Sequence, residues 1–142
     1  MTAVWLIPVD GSPAAVHAVD HVIRQTAEEA RKPEIHLVNV QAPLPADVTR
    51  FVDDGVVQDY HREAGDAALR VARDHLAAAG LVYSSHVLVG ETAPSIVDYA
   101  KTHACTLIVM GARGLGALAG MLLGSVTTRV IHLTDLPVMV VK

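Results

Sequence analysis

The sequence is short of cysteine, aromatic rings, charge and long apolar runs, and each shortage removes a class of protein. Its single cysteine, Cys105, has no partner for an internal disulfide, so a reducing compartment is expected. The chain also opens without a charged segment followed by an apolar one, which adds to the expectation of a cytoplasmic protein. Charged residues are 18% of the total and the formal net charge is −4, so no basic field favours nucleic acid or an anionic membrane as partner. The apolar run at residues 114–126 is thirteen long, short of the ~20 that a bilayer span needs. One Phe and one Trp within a hydrophobic content of 51% leave a core of Val, Ile, Leu and Ala, the composition of buried parallel strands and their covering helices.

With 142 residues, one domain over 1–142 with a sizeable core is expected. The run AVWLIPV stops at Asp10 and Gly11, as a strand buried on both faces does. Ser12 then caps a helix with Pro13 at its first position and Ala15, Val16, Val19, Ile23, Ala27 and Ala30 at helical spacing. EIHLVNV is a second strand, and QAPLPADVTRFVDDG, with two prolines and several acids, reads as a long loop of the functional or mobile kind. Val57, Tyr60, Ala64, Ala67, Val71 and Leu76 predict one face of a second long helix that ends at Gly80. LVYSSHVLV is strand three; Thr92 and Pro94 open a helix carrying Ile96, Val97 and Ala100; and TLIVM is strand four. Ser125 caps a last helix with Val126, Val130 and Leu133 inward, and LPVMVV closes the chain as strand five. There is no internal repeat, linker or low-complexity segment. The alternation predicts an α/β fold, a doubly wound five-stranded parallel sheet in the order 3-2-1-4-5 with helices on both faces.

Between strand four and the last helix, MGARGLGALAGMLLGSV holds five glycines. Gly111 and Gly116 have Walker A spacing, but Ala117 stands where the phosphate-binding lysine is required. Gly116, Gly120 and Gly124 are spaced as on a membrane-helix dimer face, which the short run rules out. Gly114, Gly116 and Ala119 meet the dinucleotide fingerprint, yet Asp135 precedes a final strand instead of ending one. In a doubly wound sheet, ligands sit beyond the carboxyl ends of the strands where the winding reverses. With strands one and four as neighbours, Asp10, Gly11 and Ser12 meet Gly111, Arg113 and Gly114 there. Gly111 and Gly114 then let backbone N–H groups approach a ligand, and Gly124 with Ser125 starts a helix whose terminal N–H groups favour an anion, phosphate being the natural guest.

Gly111, Gly114, nine residues, then Gly124 and Ser125 resembles the G-x-x-G, nine residues, G-[ST] pattern of nucleotide-binding, A-like universal stress proteins. The resemblance takes in VDGS, GETAPSIVDYA, LIVMGARG and GSVTTRVIHLTDLPVMVV, almost the whole chain. It implies that Pro8, Val9 and Asp10 form the adenosine-contacting turn and that Val40 lies against adenine. On the ribose and phosphate side it implies Met110, Gly111, Gly114, Gly124, Ser125 and Val126, to which Arg113 adds a cation. An ionised Asp10 is acceptor-only, so it suits ribose hydroxyls or the adenine amino group and not phosphate. Two departures stand out: the spacer LGALAGMLL has no basic residue where many relatives have one, and Cys105 with Thr106 replaces an acid common before strand four.

The implied ligand is ATP with Mg²⁺, the alternatives being AMP, ADP or none. The implied role is a stress-response regulator with slow or no hydrolysis, set against an ATP hydrolase or phosphotransferase and against an interaction module that has lost nucleotide. An enzyme needs a water-positioning group near the γ-phosphate; no catalytic residue or protein-derived metal site is assigned, and Asp47, Asp53 and Asp54 in the long loop are the acids within reach by closure. A protein partner of unknown identity is expected. The run PVMVV, from Pro137 to Val141, is an apolar sheet edge that a second copy would cover, giving the homodimer that the resemblance also implies.

Plainer readings accompany these. Asp10 suits an Asx-turn, the glycines suit turns, and Leu118, Met121 and Leu122 are expected to dock on the protein. His17 and His21 lack a third metal ligand and read as solvated; His36 and His86 read as packed or edge residues; His132 suits a helix C-terminus. Cys105 reads as a small buried hydrophobe, and residues 62–74 as a solvated helix face with an Asp66–Arg70 pair.

Overall fold

The computed structural model describes residues 2–114 and 122–142, so readings that fall on Gly116, Ala117, Leu118, Ala119, Gly120 and Met121 lie outside the described residues. The chain runs β1 (Val4–Pro8), α1 (Pro13–Thr26), β2 (Glu34–Gln41), α2 (Ala46–Thr49), α3 (Asp54–Ala78), β3 (Tyr83–Val89), α4 (Thr92–Thr102), β4 (Leu107–Gly111), α5 (Ser125–Leu133) and β5 (Val138–Val141). All strand pairs are parallel, in the order β3-β2-β1-β4-β5, as expected. Because strand side chains alternate, Ile7, Val9, Leu37 and Val109 face α1 and α3, while Leu6, Val38, Ile108 and Met110 face α4 and α5. Aliphatic side chains this deeply buried each contribute about 1.5–3 kcal/mol.

Helix α1 begins as its letters dictate. Ser12 Oγ accepts from the Ala15 N–H at 3.3 Å, Pro13 follows, and Gly11 turns the chain at φ 86°. The helix stops sooner than expected, at Thr26, leaving Ala27 at its end and Ala30 beyond it. Lys32 replaces a capping glycine there: its ammonium donates to the carbonyls of Thr26 at 2.7 Å and Ala27 at 3.0 Å.

Helix α3 corrects two expectations. Its inner face is His61, Gly65, Leu69, Ala72 and Leu76, and the expected face fails at Tyr60, Ala67 and Val71, all exposed. A Cβ on Gly65 would lie 2.3 Å from Val87 Cγ2, so the missing side chain is what lets α3 lie against β3. Asp66 pairs with Arg73 at 3.4 Å instead of Arg70, and residues 62–74 contribute buried Leu69 and Ala72. The long loop contains α2, and α3 starts at Asp54. Gly80 ends α3 at φ 73° as expected. Gly124, not Ser125, caps α5, Leu133 is exposed rather than inward, and Leu122 is 82% exposed rather than docked.

Beneath the sheet, α4 ends in a cluster of rings. Tyr99 stacks on His103 with centroids 3.8 Å apart, and a 2.7 Å hydrogen bond joins its hydroxyl to His36 Nδ1, whose ring also meets Glu34 at 3.0 Å. Burial, with the nearby Cys105 and Glu34, pushes the Tyr99 hydroxyl up to about 12; burial and Glu34 raise the Cys105 thiol too, which suits an inert, packed cysteine. Unfolded tyrosine titrates near ~10, so below that pH both states hold the proton. Between about 10 and about 12 only the folded state holds it, and stability falls as pH rises. Urea unfolding of wild type across this range should therefore lose on the order of 1 kcal/mol more by pH ~11 than Tyr99→Phe does, each relative to its own value at pH ~8. Parallel curves for the two proteins would contradict this.

Candidate functional site

Strands β1 and β4 are in register at two positions, Trp5 with Leu107 and Leu6 with Ile108. Beyond these β1 stays with β2, the Val9 N–H donating to the Val38 carbonyl at 2.8 Å, and β4 stays with β5, the Ala112 N–H donating to the Val141 carbonyl at 2.8 Å. The parting strands leave a cavity of ≈ 470 Å³ at the carboxyl end of the sheet, within the range of small-molecule sites.

All eleven residues singled out from the sequence line it. Val40, Met110 and Val126 form apolar wall on the α4 and α5 side, with Pro8 and Val9 at the end of β1. Asp10 sits at the first turn. Its Oδ1 accepts from the Ser12 N–H at 2.9 Å, so the Asx-turn is real, while its Oδ2 lies where a Cβ on Gly114 would come within 2.3 Å. Gly114 is thus the residue whose bareness admits the Asp10 carboxylate.

Gly111, Arg113, Gly124 and Ser125 complete the set, and both glycines also have contacts within the protein. A Cβ on Gly111 would lie 2.7 Å from the Ala14 carbonyl oxygen, so this glycine serves the packing of α1 on β4. The Gly124 N–H donates to the Ala112 carbonyl at 2.7 Å and is already committed. The helix terminus at the cavity is the first turn of α5. No side chain caps it, and its leading amides, those of Ser125, Val126 and Thr127, have no acceptor inside the helix. Thr127 Oγ1 fixes this turn by donating to the Gly111 carbonyl at 3.0 Å.

Ser12, placed at the switch point from the sequence, lines the cavity as well, and Ala15, Val38, Asn39, Thr92, Ile96 and Thr127 do so without having been singled out for the site. Thr92 and Ile96 stand four apart at the start of α4, a signal that was present but looked like core. Asn39 carried a better one, a polar letter inside a buried strand; its amide donates to the Val9 carbonyl at 2.8 Å and its Oδ1 accepts from Gln41 at 2.6 Å, bracing the site turn.

Among the described lining residues the charged groups are Asp10 and Arg113, at opposite roles around one cleft. None of Asp47, Asp53 and Asp54 lines it, and no cluster of three metal-ligating side chains occurs among the described residues. The arrangement offers an apolar slot, an acceptor and a set of helix-terminal donors.

The family model described as Universal stress protein family matches residues 2–142. The chain belongs to the universal stress protein family. Among its relatives, Universal stress protein MJ0531 of Methanocaldococcus jannaschii is 34% identical over 96% of this chain and 80% of its own, and Universal stress protein YxiE of Bacillus subtilis is 27% identical over 96% and 97%. The solved structure of hypothetical protein MJ0577 superposes with a TM-score of 0.84 at 27% identity, covering 100% of this chain and 96% of that one. A universal stress protein solved in complex with cAMP gives 0.69 at 27% identity over 99% and 96%. One from Archaeoglobus fulgidus in complex with dAMP gives 0.64 at 25% over 100% and 98%.

The two glycines at either end of the loop should respond differently to a methyl group. Gly111→Ala forces a Cβ against α1 backbone and should cost about 1–3 kcal/mol. Gly124→Ala meets ordinary contacts at 3.4 Å and beyond, and should stay within about 1 kcal/mol of wild type. Thermal unfolding of both reads this directly, and an unaffected Gly111→Ala would return that position to the ligand.

Proposed function

We infer that this universal stress protein binds an adenine nucleotide, with ATP as the full ligand, and acts as a regulator whose nucleotide state governs a protein partner. The observation that carries this is the opposition, across one cleft, of the Asp10 carboxylate and the uncapped first turn of α5. An acceptor suits ribose hydroxyls or an exocyclic amine, and helix-terminal amides suit phosphate. The binding of cAMP and dAMP by family members of the same fold supports an adenine ligand. Pro8, Val9, Asp10 and Val40 serve the adenosine side. Met110, Gly111, Arg113, Gly114, Gly124, Ser125 and Val126 bound the ribose and phosphate side, Gly111 by letting α1 close the floor and Gly124 by presenting the turn. Mg²⁺ bound with the nucleotide would have the Ser125 hydroxyl as its protein-side oxygen and would supply neutralising charge. AMP and ADP fit the same slot with fewer phosphate contacts.

Regulation fits this wall better than turnover. Arg113 and the α5 amides stabilise ground state and transition state alike, which does not speed chemistry. Calorimetry should give ATP binding that Gly114→Val weakens tenfold or more, on the order of 1.4 kcal/mol, because the new side chain strikes Asp10. Asp10→Ala should weaken ATP, ADP and adenosine by similar factors; an effect on ATP alone would place Asp10 at the metal or phosphate. Phosphate release with Mg²⁺ and excess ATP should stay well below the ~1 to 10³ s⁻¹ of typical enzymes. Turnover above about one per second would favour the hydrolase reading.

Assembly follows from the sheet. Among the described residues β5 is its edge, and the half-buried VMVV has no described strand on its outer side. A two-fold homodimer pairing Pro137 through Val141 with the same run of a second copy covers it. Light scattering at micromolar concentration should give the dimer mass, and deletion of 138–142 should lower it; a monomer of the intact chain at that concentration overturns the assignment.

A further inference from the structure

Between residues 41 and 60 no side chain is buried, and α2 within that stretch has no buried residue at all. The first turns of α3 bury nothing before His61. Yet this segment carries the only Phe of the chain: Phe51 is 82% exposed, and Val48, Val56 and Tyr60 are 44%, 56% and 53% exposed. The hydrophobic core does not explain these residues, since none of them contributes to it. Phe51 lies in the turn after α2, its N–H donating to the Val48 carbonyl at 3.2 Å, and Val56 and Tyr60 are four apart on one side of α3.

Charge narrows what would cover them. Residues 46–63 hold Asp47, Asp53, Asp54, Asp59 and Glu63 against Arg50 and Arg62, so this short segment carries three of the four net negative charges of the whole protein. All seven are exposed, and Arg62 is spent on Asp59. An anionic lipid surface is repelled by such a field, and so is the same face of a second copy. We propose that α2 and the opening turns of α3 form a docking surface for a cationic amphipathic segment of another protein, Phe51 entering its apolar side and the carboxylates meeting its Lys or Arg residues. The face requires no nucleotide, though it follows Val40, a lining residue of the cavity, by six residues along the chain.

The probe is an 18-residue helical peptide of Leu and Lys with its leucines at helical spacing, set beside the same peptide with Glu in place of Lys and titrated into full-length protein. The Leu/Lys peptide should bind and weaken steeply with salt, and the Leu/Glu peptide should not bind. Phe51→Ser should weaken the Leu/Lys peptide at least tenfold. Asp47/Asp53/Asp54→Asn should weaken it severalfold and flatten the salt dependence. ATP titration of each variant serves as the check on folding and on the nucleotide site, so loss of peptide binding with intact ATP binding supports the surface alone. Unchanged peptide affinity in Phe51→Ser overturns the proposal. Sedimentation with phosphatidylglycerol vesicles that Phe51→Ser abolishes overturns it in favour of lipid, and a light-scattering mass that falls in Phe51→Ser overturns it in favour of a second copy.

Discussion

The structure depends on the brief pairing of β1 with β4. Parallel strands need crossovers, and right-handed crossovers send the chain one way from β1 and the other way from β4. Two registered positions hold the centre of the sheet together, and above them each strand follows its outer neighbour. The opening is a result of winding, and the side chains around it decide only its chemistry. That is why Asp10, on the turn after β1, and Ser125, at the head of α5, face the same space although 115 positions of sequence separate them.

Much of this was legible in the letters. The strands announced themselves as short aliphatic runs, and the strand order followed from the alternation of elements once β1 and β4 were taken as neighbours. Much of what was misread around the sheet shares one cause: the residues that matter by being small or polar look like interruptions. His61 and Gly65 broke the apolar stripe of α3, so the expected face rotated toward Tyr60 and Val71, and the need for Gly65 appears only when Val87 is placed against it. Gly111 is similar. Its letter fits a loop that greets a ligand, but the atom nearest its missing side chain belongs to α1. Asn39 and Thr127 were passed over because their partners are carbonyls far away in sequence, and carbonyls leave no mark in it.

The family assignment and the geometry answer different questions. Membership fixes the fold and makes an adenine ligand a reasonable guest; the cleft decides which atoms meet it. In the proposed reading, recognition of an anion falls mostly to main chain. Outside Arg113 no side-chain cation is available among the described lining residues, so the strength of that end depends on how well Thr127 and the Ala112–Gly124 hydrogen bond hold the first turn of α5 in place.

The described wall contains no histidine and no cysteine, the side chains whose charge ordinarily changes across the neutral range. The histidines of this protein are elsewhere, at the foot of the sheet and along its helices. Among the described lining residues the oxidisable side chain is the buried Met110 thioether. In the proposed reading, a change of acidity would reach this cleft through the nucleotide's own phosphates and not through an imidazole or thiol of the described wall.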